Sequence, residues 1–372
     1  MSKNEKTLPA PDQIEVSVFG PGFGECIAVH LGDGRWIIVD SCINREIKRP
    51  AVLTYFSEIA VDPKTAVDLI LATHWDDDHV AGIDDVVEAC ENADVWFSDA
   101  LQCEEFLELL DLRLTRPDLK FTRGTSHIGR VVDLKGPAIK FAMSDMRILQ
   151  RKLALGGNDI AVEAWTLSPS HYENYIAKQR IGALIPRGRA PEPRILSRRR
   201  NHGSVVLAVI VGGSHILLGA DLEEPGDPRL GWSAVVASTG RPHLNPKVFK
   251  VPHHGSITGH HPDTWKQLVA QSPVTATTPY SWGGRSLPTP QDVDRITTLS
   301  GSAFVSRRRV HQAPIKRNFK LDQLAKSTTV SWRRIAKVPG HIRMRHTIGA
   351  DEDAWEIALF DGADVLQQFQ AA

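Results

Sequence analysis

The chain is short of net charge, of cysteine and of long apolar runs, and each shortage closes a class of function. Of its 372 residues, 44 are Lys or Arg and 44 are Asp or Glu. No global field therefore draws it to a polyanion or a membrane surface, and anion binding must come from local patches. The four cysteines, Cys26, Cys42, Cys90 and Cys103, form no CxxC pair and show no disulfide-scaffold spacing. Reduced thiols in a cytoplasmic protein are the expectation. No run approaches the roughly 18 apolar residues of a membrane span, and the opening MSKNEKTLPAPDQ lacks the apolar segment of a secretion signal. Contact with a membrane is not expected. What remains is a globular composition, 42% hydrophobic, long enough for one large core or two ordinary ones.

Short Val- and Ile-rich runs separated by glycine turns open the chain: EVSVFGPG, CIAVHLGDG and RWIIVDS. They read as an antiparallel meander. Helical spacing follows in REIKRPAVLTYFSEIA and IDDVVEACENA, with the apolar strand AVDLILAT between them. Later come the strands SVVLAVIVGG, SHILLGAD and KVFKVP. Hairpins alternating with helices in both halves argue for a layered α/β sandwich and against one parallel sheet. The expected organisation is a tail at 1–13, a domain at 14–318 with a basic insertion at about 172–200, and a small C-terminal β appendage at 319–372. Within that last segment the preferred reading is a hairpin that completes a sheet edge.

Chemistry concentrates at strand ends. In HWDDDH, residues 74–79, the side chains of His74, Asp76, Asp78 and His79 all carry lone pairs suited to a divalent cation. The bland alternative is a solvated aspartate run at a helix start, where Asp is favoured. Asp221 ends the strand SHILLGAD, and His253 and His254 follow KVFKVP. Carboxylate or imidazole at three separate strand ends is a constellation rather than a local charge run.

In this order HWDDDHVAG, LLGAD and KVPHHGS resemble the metallo-β-lactamase superfamily, and the opening hairpin ending in Asp40 resembles the start of that fold. With NHGSVVL at 201–207, they are most similar to the hydrolase domain of the ComEC-type DNA-uptake proteins and its free-standing relatives. The resemblance implies a four-layer αββα sandwich with two divalent ions, zinc or manganese, with magnesium also open. His74 and Asp76 would hold one ion and Asp78 and His79 the other, with Asp221 bridging and His254 as the last ligand. Either His171 or Asn201 would complete the first site, with His171 preferred. Which of His253 and His254 is the ligand stays open, and His253 is a catalytic candidate. Asp76, where the superfamily has histidine, adds a hard oxygen donor and shifts preference toward manganese or magnesium. Two such ions acidify a water between them, which Asp78 would orient as a catalytic group.

For the substrate, Arg198, Arg199 and Arg200, Asn201, Tyr280 and Arg285 are candidate contacts. The recurrence of SRRR at 197–200 and 306–309 suggests phosphate-backbone binding. The leading expectation is a phosphodiesterase or nuclease acting on nucleic acid or a nucleotide. A small-ester or lactone hydrolase, or a non-catalytic binding protein with a degenerate site, are the alternatives. The C-terminal segment could serve a protein partner or a second copy.

Overall fold

The computed structural model describes residues 5–20, 24–44, 46–116, 121–185, 200–282, 285–308, 339–351 and 354–369. Two eight-stranded sheets dominate it. The first is built from β1 (Gln13–Gly20), β2 (Cys26–His30), β3 (Trp36–Val39), β4 (Val67–Ala72), β5 (Asp94–Ser98) and β6 (Lys140–Ala142). The second contains β7 (Met146–Leu155), β8 (Asn158–Thr166), β9 (Leu207–Val211), β10 (Ser214–Leu218), β11 (Val248–Lys250), β12 (Val274–Thr277) and β13 (Ser302–Val305). The last strands are β14 (Gly340–Thr347) and β15 (Glu356–Phe360), which join the first sheet beside β1, and β16 (Asp364–Val365), which joins the second beside β13.

Each sheet is an antiparallel meander followed by parallel strands. β1 to β3 are antiparallel and β3 to β6 parallel; β7 to β10 are antiparallel and β10 to β13 parallel. A parallel neighbour needs a crossover. Among the helices that lie in these crossovers are α1 (Ala51–Glu58), α2 (Ile83–Ala89), α3 (Glu104–Thr115) and α4 (Arg123–Lys135) in the first half. The helix α5 (His171–Gly182) lies between β8 and β9, and α6 (Gly231–Ala237) and α7 (Pro290–Leu299) serve the second half.

The layering follows from side-chain alternation. Ile14, Val16, Val18, Ile27 and Val29 point to one face of the first sheet and meet Leu207, Val209, Ile216 and Leu218 of the second. Their neighbours Cys26, Ala28, Trp36 and Ile38 point outward and pack under Val52, Phe56 and Val86 of α1 and α2. On the far side Ala208, Leu217 and Phe249 cover Trp232, Val293 and Ile296 of α6 and α7. Three separate cores between four layers define the αββα sandwich, and strands apolar on both faces are what two buried faces require.

The C-terminal strands do not stand apart as an appendage. β14 pairs with β1 residue for residue from Gln13↔Thr347 to Gly20↔Gly340, and Leu366 and Phe369 are buried in the core beneath α7. The run at 306–309 also finds a local role in part: Arg308 Nε donates to Asp364 Oδ2 at 2.6 Å, tying the chain after β13 to β16. Arg309 lies outside the described residues. Nor is the segment after Ser170 a loop from its start: Ser170 and Glu173 form a reciprocal capping box that opens α5. No helix among the described residues is long and apolar enough to cross a membrane.

Candidate metal centre

Four strand ends converge at one edge of the sandwich: β3 delivers Asp40, β4 the HWDDDH loop, β10 Asp221, and β11 the two histidines. Parallel strands leave their carboxyl ends on the same side, which is where open α/β sheets place ligands. The backbone bends hard to do this. Asp40, Ala220, His253 and His254 all have positive φ, at 59°, 45°, 47° and 53°. Such conformations are costly for residues with a Cβ and persist where the surroundings impose them, commonly at functional sites.

Asp78, His79, Asp221 and His254 are buried, and one ligand-grade atom from each lies within 4.8 Å of the others. His254 Nε2 is 3.3 Å from Asp78 Oδ2 and 3.4 Å from Asp221 Oδ2. His79 Nε2 is 3.3 Å from Asp221 Oδ1. The His74 ring sits beside His79, with centroids 4.2 Å apart.

All three imidazoles are held the same way. His79 Nδ1 lies 2.7 Å from Asp40 Oδ2, His254 Nδ1 lies 3.0 Å from the Thr278 carbonyl, and His74 Nδ1 lies 2.9 Å from Thr73 Oγ1. Thr73 in turn donates its hydroxyl and its amide to the two Asp40 oxygens at 2.7 and 2.8 Å. The inward atoms, Nε2 of His74, His79 and His254 with Asp221 Oδ1, are buried and make no well-formed hydrogen bond; His79 and His254 have only the 3.3–3.4 Å ion-pair contacts to the cluster carboxylates. Buried polar atoms without partners are costly. An imidazole pinned through one nitrogen with the other presented to a shared point is the arrangement of a metal ligand with its outer support. These residues fit a divalent cation.

The electrostatics agree. Burial pushes the Asp221 and Asp78 carboxyls up, but the His254 and His79 rings outweigh it, holding Asp221 well below its ordinary value and Asp78 at about 2. Burial pushes His254 down, yet Asp221 and Asp78 raise it to about 9. For His79 the carboxylates of Asp221 and Asp40 likewise overcome burial and raise it well above normal. His74, with burial and then His79 against its charged form, falls to about 3 and stays neutral. A field that draws protons onto two histidines also draws a cation, with proton release on binding.

Above the cluster opens a cleft of about 480 Å³ whose walls include Asp76, Asn201, Glu223, His253, Ser256 and Tyr280. Of the expected site residues, His74, Asp78, His79, Asp221 and His254 come together, and Asp76 reaches the cleft beside them. Asp77 turns away and accepts the Gly124 amide at 2.7 Å at the start of α4. Between the paired histidines, His254 faces the cluster. His253 instead has Nδ1 2.7 Å from Thr258 Oγ1 and 3.0 Å from Glu223 Oε1, with Nε2 3.3 Å from Asn201 Nδ2. The Tyr280 ring is 5.2 Å from that of His254.

His171 is a correction. It lies exposed in the first turn of α5, outside the cluster, because Ser170 caps that helix and orients it to solvent. Asn201, its alternative, lines the cleft. Arg198 and Arg199 lie outside the described residues, as do the side chains of Arg200 and Arg285. Sequence reasoning missed Glu223, two residues beyond Asp221, and the supporting roles of Asp40 and Thr73. It also missed Glu25 and Lys250 beneath the site. A lysine inside the apolar run KVFKVP was the visible signal for the last pair.

Residues 19–102 match the family model described as "Metallo-beta-lactamase superfamily", a stretch that includes Asp40, His74, Asp78 and His79 of the cluster. Solved structures to which the chain is similar include the metallo-β-lactamase fold protein YhfI from Bacillus subtilis, with a TM-score of 0.40 and 13% identity, covering 79% of this chain and 95% of that one. Zinc-bound PqqB from Methylobacterium extorquens follows at TM-score 0.32 and 12% identity, with coverage of 67% and 75%. A B3 metallo-β-lactamase with an active-site glutamic acid gives TM-score 0.29 and 14% identity, with coverage of 61% and 70%. Among curated proteins, none matches the chain.

Proposed function

We propose that this protein is a metal-dependent hydrolase of phosphodiesters, acting on nucleic acid or a nucleotide. The observation that carries the reading is the set of inward Nε2 atoms of His74, His79 and His254, buried and without a hydrogen bond, around the Asp221 carboxylate. Divalent ions held there, zinc or manganese, would supply Lewis-acid polarisation of a phosphoryl oxygen and make a nearby water more acidic. Asp78, kept ionised, accepts a hydrogen bond from that water and directs its lone pair at phosphorus. Asp40, Thr73 and Thr278 hold the three rings in one tautomer, so no reorganisation is needed during reaction. His253, held in the cleft wall by Glu223, Thr258 and Asn201, would attend the leaving oxygen.

The cleft wall is polar and carries Asp76, Asp78, Asp221 and Glu223, so an anionic substrate would be held there through the bound cations. Ser256, Thr258, Tyr280, Ser286 and Thr289 offer hydroxyls, against Leu287 as the apolar contribution. An ester or lactone pocket needs the reverse balance. The motifs HWDDDH, NHGSVVL and KVPHHGS resemble those of ComEC-type hydrolase domains and favour the same substrate class. Arg198, Arg199, Arg200 and Arg285 would meet the flanking phosphates. The test is a panel of DNA, RNA, cyclic nucleotides, a model phosphodiester and an aryl lactone, offered to zinc- and manganese-loaded protein. Phosphodiester cleavage abolished by chelation is expected; turnover of the lactone alone would replace this reading with the ester one.

A further inference from the structure

Beneath the cluster lies a buried ion pair that no ligand role explains. Glu25 precedes β2 in the first sheet, and Lys250 ends β11 in the second; both side chains are essentially inaccessible and in direct contact. Lysine and glutamate are seldom buried so fully unless paired, and the desolvation of such a pair is barely repaid by its attraction. Stability alone is therefore a weak reason for its presence.

Its connections reach the segments that carry Asp78, Asp221 and His254. The Glu25 amide donates to the Asp78 carbonyl at 2.8 Å. The Glu25 carboxylate accepts the Thr278 hydroxyl, and the Thr278 carbonyl holds His254 Nδ1 at 3.0 Å. Lys250 Nζ donates to the Ala220 carbonyl at 3.2 Å, immediately before Asp221. The same carbonyl accepts the His253 amide at 2.9 Å. Asp78 comes from the first sheet, while Asp221 and His254 come from the second, so their spacing depends on how the sheets are pinned together at this edge. The three core clusters join the layers through non-directional apolar contact, and at this edge the Val205 amide also donates to the Thr73 carbonyl across the sheets at 3.1 Å.

We propose that Glu25 and Lys250 are positioning residues that set the separation between the Asp78 side and the Asp221–His254 side of the metal cradle. This rests on the reading of the cluster as a metal site. The pair is a directional strut: a carboxylate from one sheet and an ammonium from the other, each also bonded to a ligand-bearing loop. The ligands are thereby held at cation-binding distance before any ion arrives.

The test replaces both charges at once, Glu25→Gln with Lys250→Met, which preserves shape and leaves neither charge buried alone. Zinc affinity is measured by competition with a chromophoric chelator, and the visible spectrum of the cobalt-substituted protein reports ligand geometry. Both are read well below the melting temperature, so a purely structural role would leave them unmoved. The expected result is a folded double variant whose zinc affinity falls about 10- to 100-fold, as for other outer supports of metal ligands, with an altered cobalt spectrum. A folded variant with wild-type affinity and spectrum overturns the inference. Should the double variant fail to fold, Glu25→Asp carries the same two criteria, since it keeps both charges and shortens the strut by one methylene. If the wild-type protein binds no zinc or cobalt, the metal reading itself fails, and that result is distinct from a variant that binds as the wild type does.

Discussion

Asp40 Oδ2 lies 2.7 Å from His79 Nδ1, and the opposite nitrogen of that ring is 3.3 Å from Asp221. The carboxylate at the end of β3 thus aims an imidazole at a carboxylate delivered from the other sheet. Burial raises the Asp40 carboxyl, partly offset by His79 and the Thr73 amide, so the pairing holds the ring without a solvated charge.

Asp40→Asn keeps the shape but offers His79 an amide in place of an acceptor carboxylate. Zinc affinity should fall about 10- to 100-fold, measured by chelator competition. An unchanged affinity would mean that the ring needs no such partner.

Asp78→Asn, assayed at saturating metal, removes the group that orients the attacking water. Turnover should fall about 10²- to 10⁴-fold with little change in KM, the pattern of a lost transition-state interaction. Equal rates for both proteins would assign the activity elsewhere.

Glu173 supplies a pH dependence remote from the cluster. Burial raises its carboxyl from 4.5 to about 7, against the opposing bonds from the Ser170 and Gly231 amides. Between those values the folded chain keeps a proton that the unfolded chain has released. Stability is therefore full below about 4.5 and declines as pH rises through about 7, by on the order of 3 kcal/mol. Denaturant melts across this window should show the decline, and Glu173→Gln should flatten it; parallel curves for the two proteins would contradict the assignment.

Ending the chain at residue 338 deletes β14, which pairs with β1 along its whole length. It also removes Arg345, whose Nε donates to buried Glu15 at 2.7 Å. Stranding that carboxylate costs about 3 to 5 kcal/mol and opens the first sheet. The shortened protein should lack a cooperative melt, whereas a stable fold would show that 340–369 is dispensable.

The sandwich and most of the cluster were legible because their signals are local: period-two runs such as CIAVH, and HWDDDH at a strand end. The C-terminal segment was legible as a hairpin completing a sheet edge, from HIRMRHTI and WEIALF, and it does so beside β1; which strand it joins was not legible, because β1 lies more than 300 residues away, beyond any local pattern. His171 misled for a different reason. SHYE is a capping box, S-x-x-E, and its serine and glutamate, not its histidine, do the local work. Glu25 and Lys250 were hidden because one reads as a turn charge before β2 and the other as a lone charge in an apolar strand until the fold brings them together.

The central claim, that Asp221 joins two halves of a divalent-cation site, is tested most directly by counting metal. Elemental analysis of the protein loaded with zinc or manganese, then desalted, should give close to two ions per chain. Asp221→Ala should lower both together. A protein that takes up no metal, or an Asp221→Ala variant that retains the wild-type content, would contradict the account.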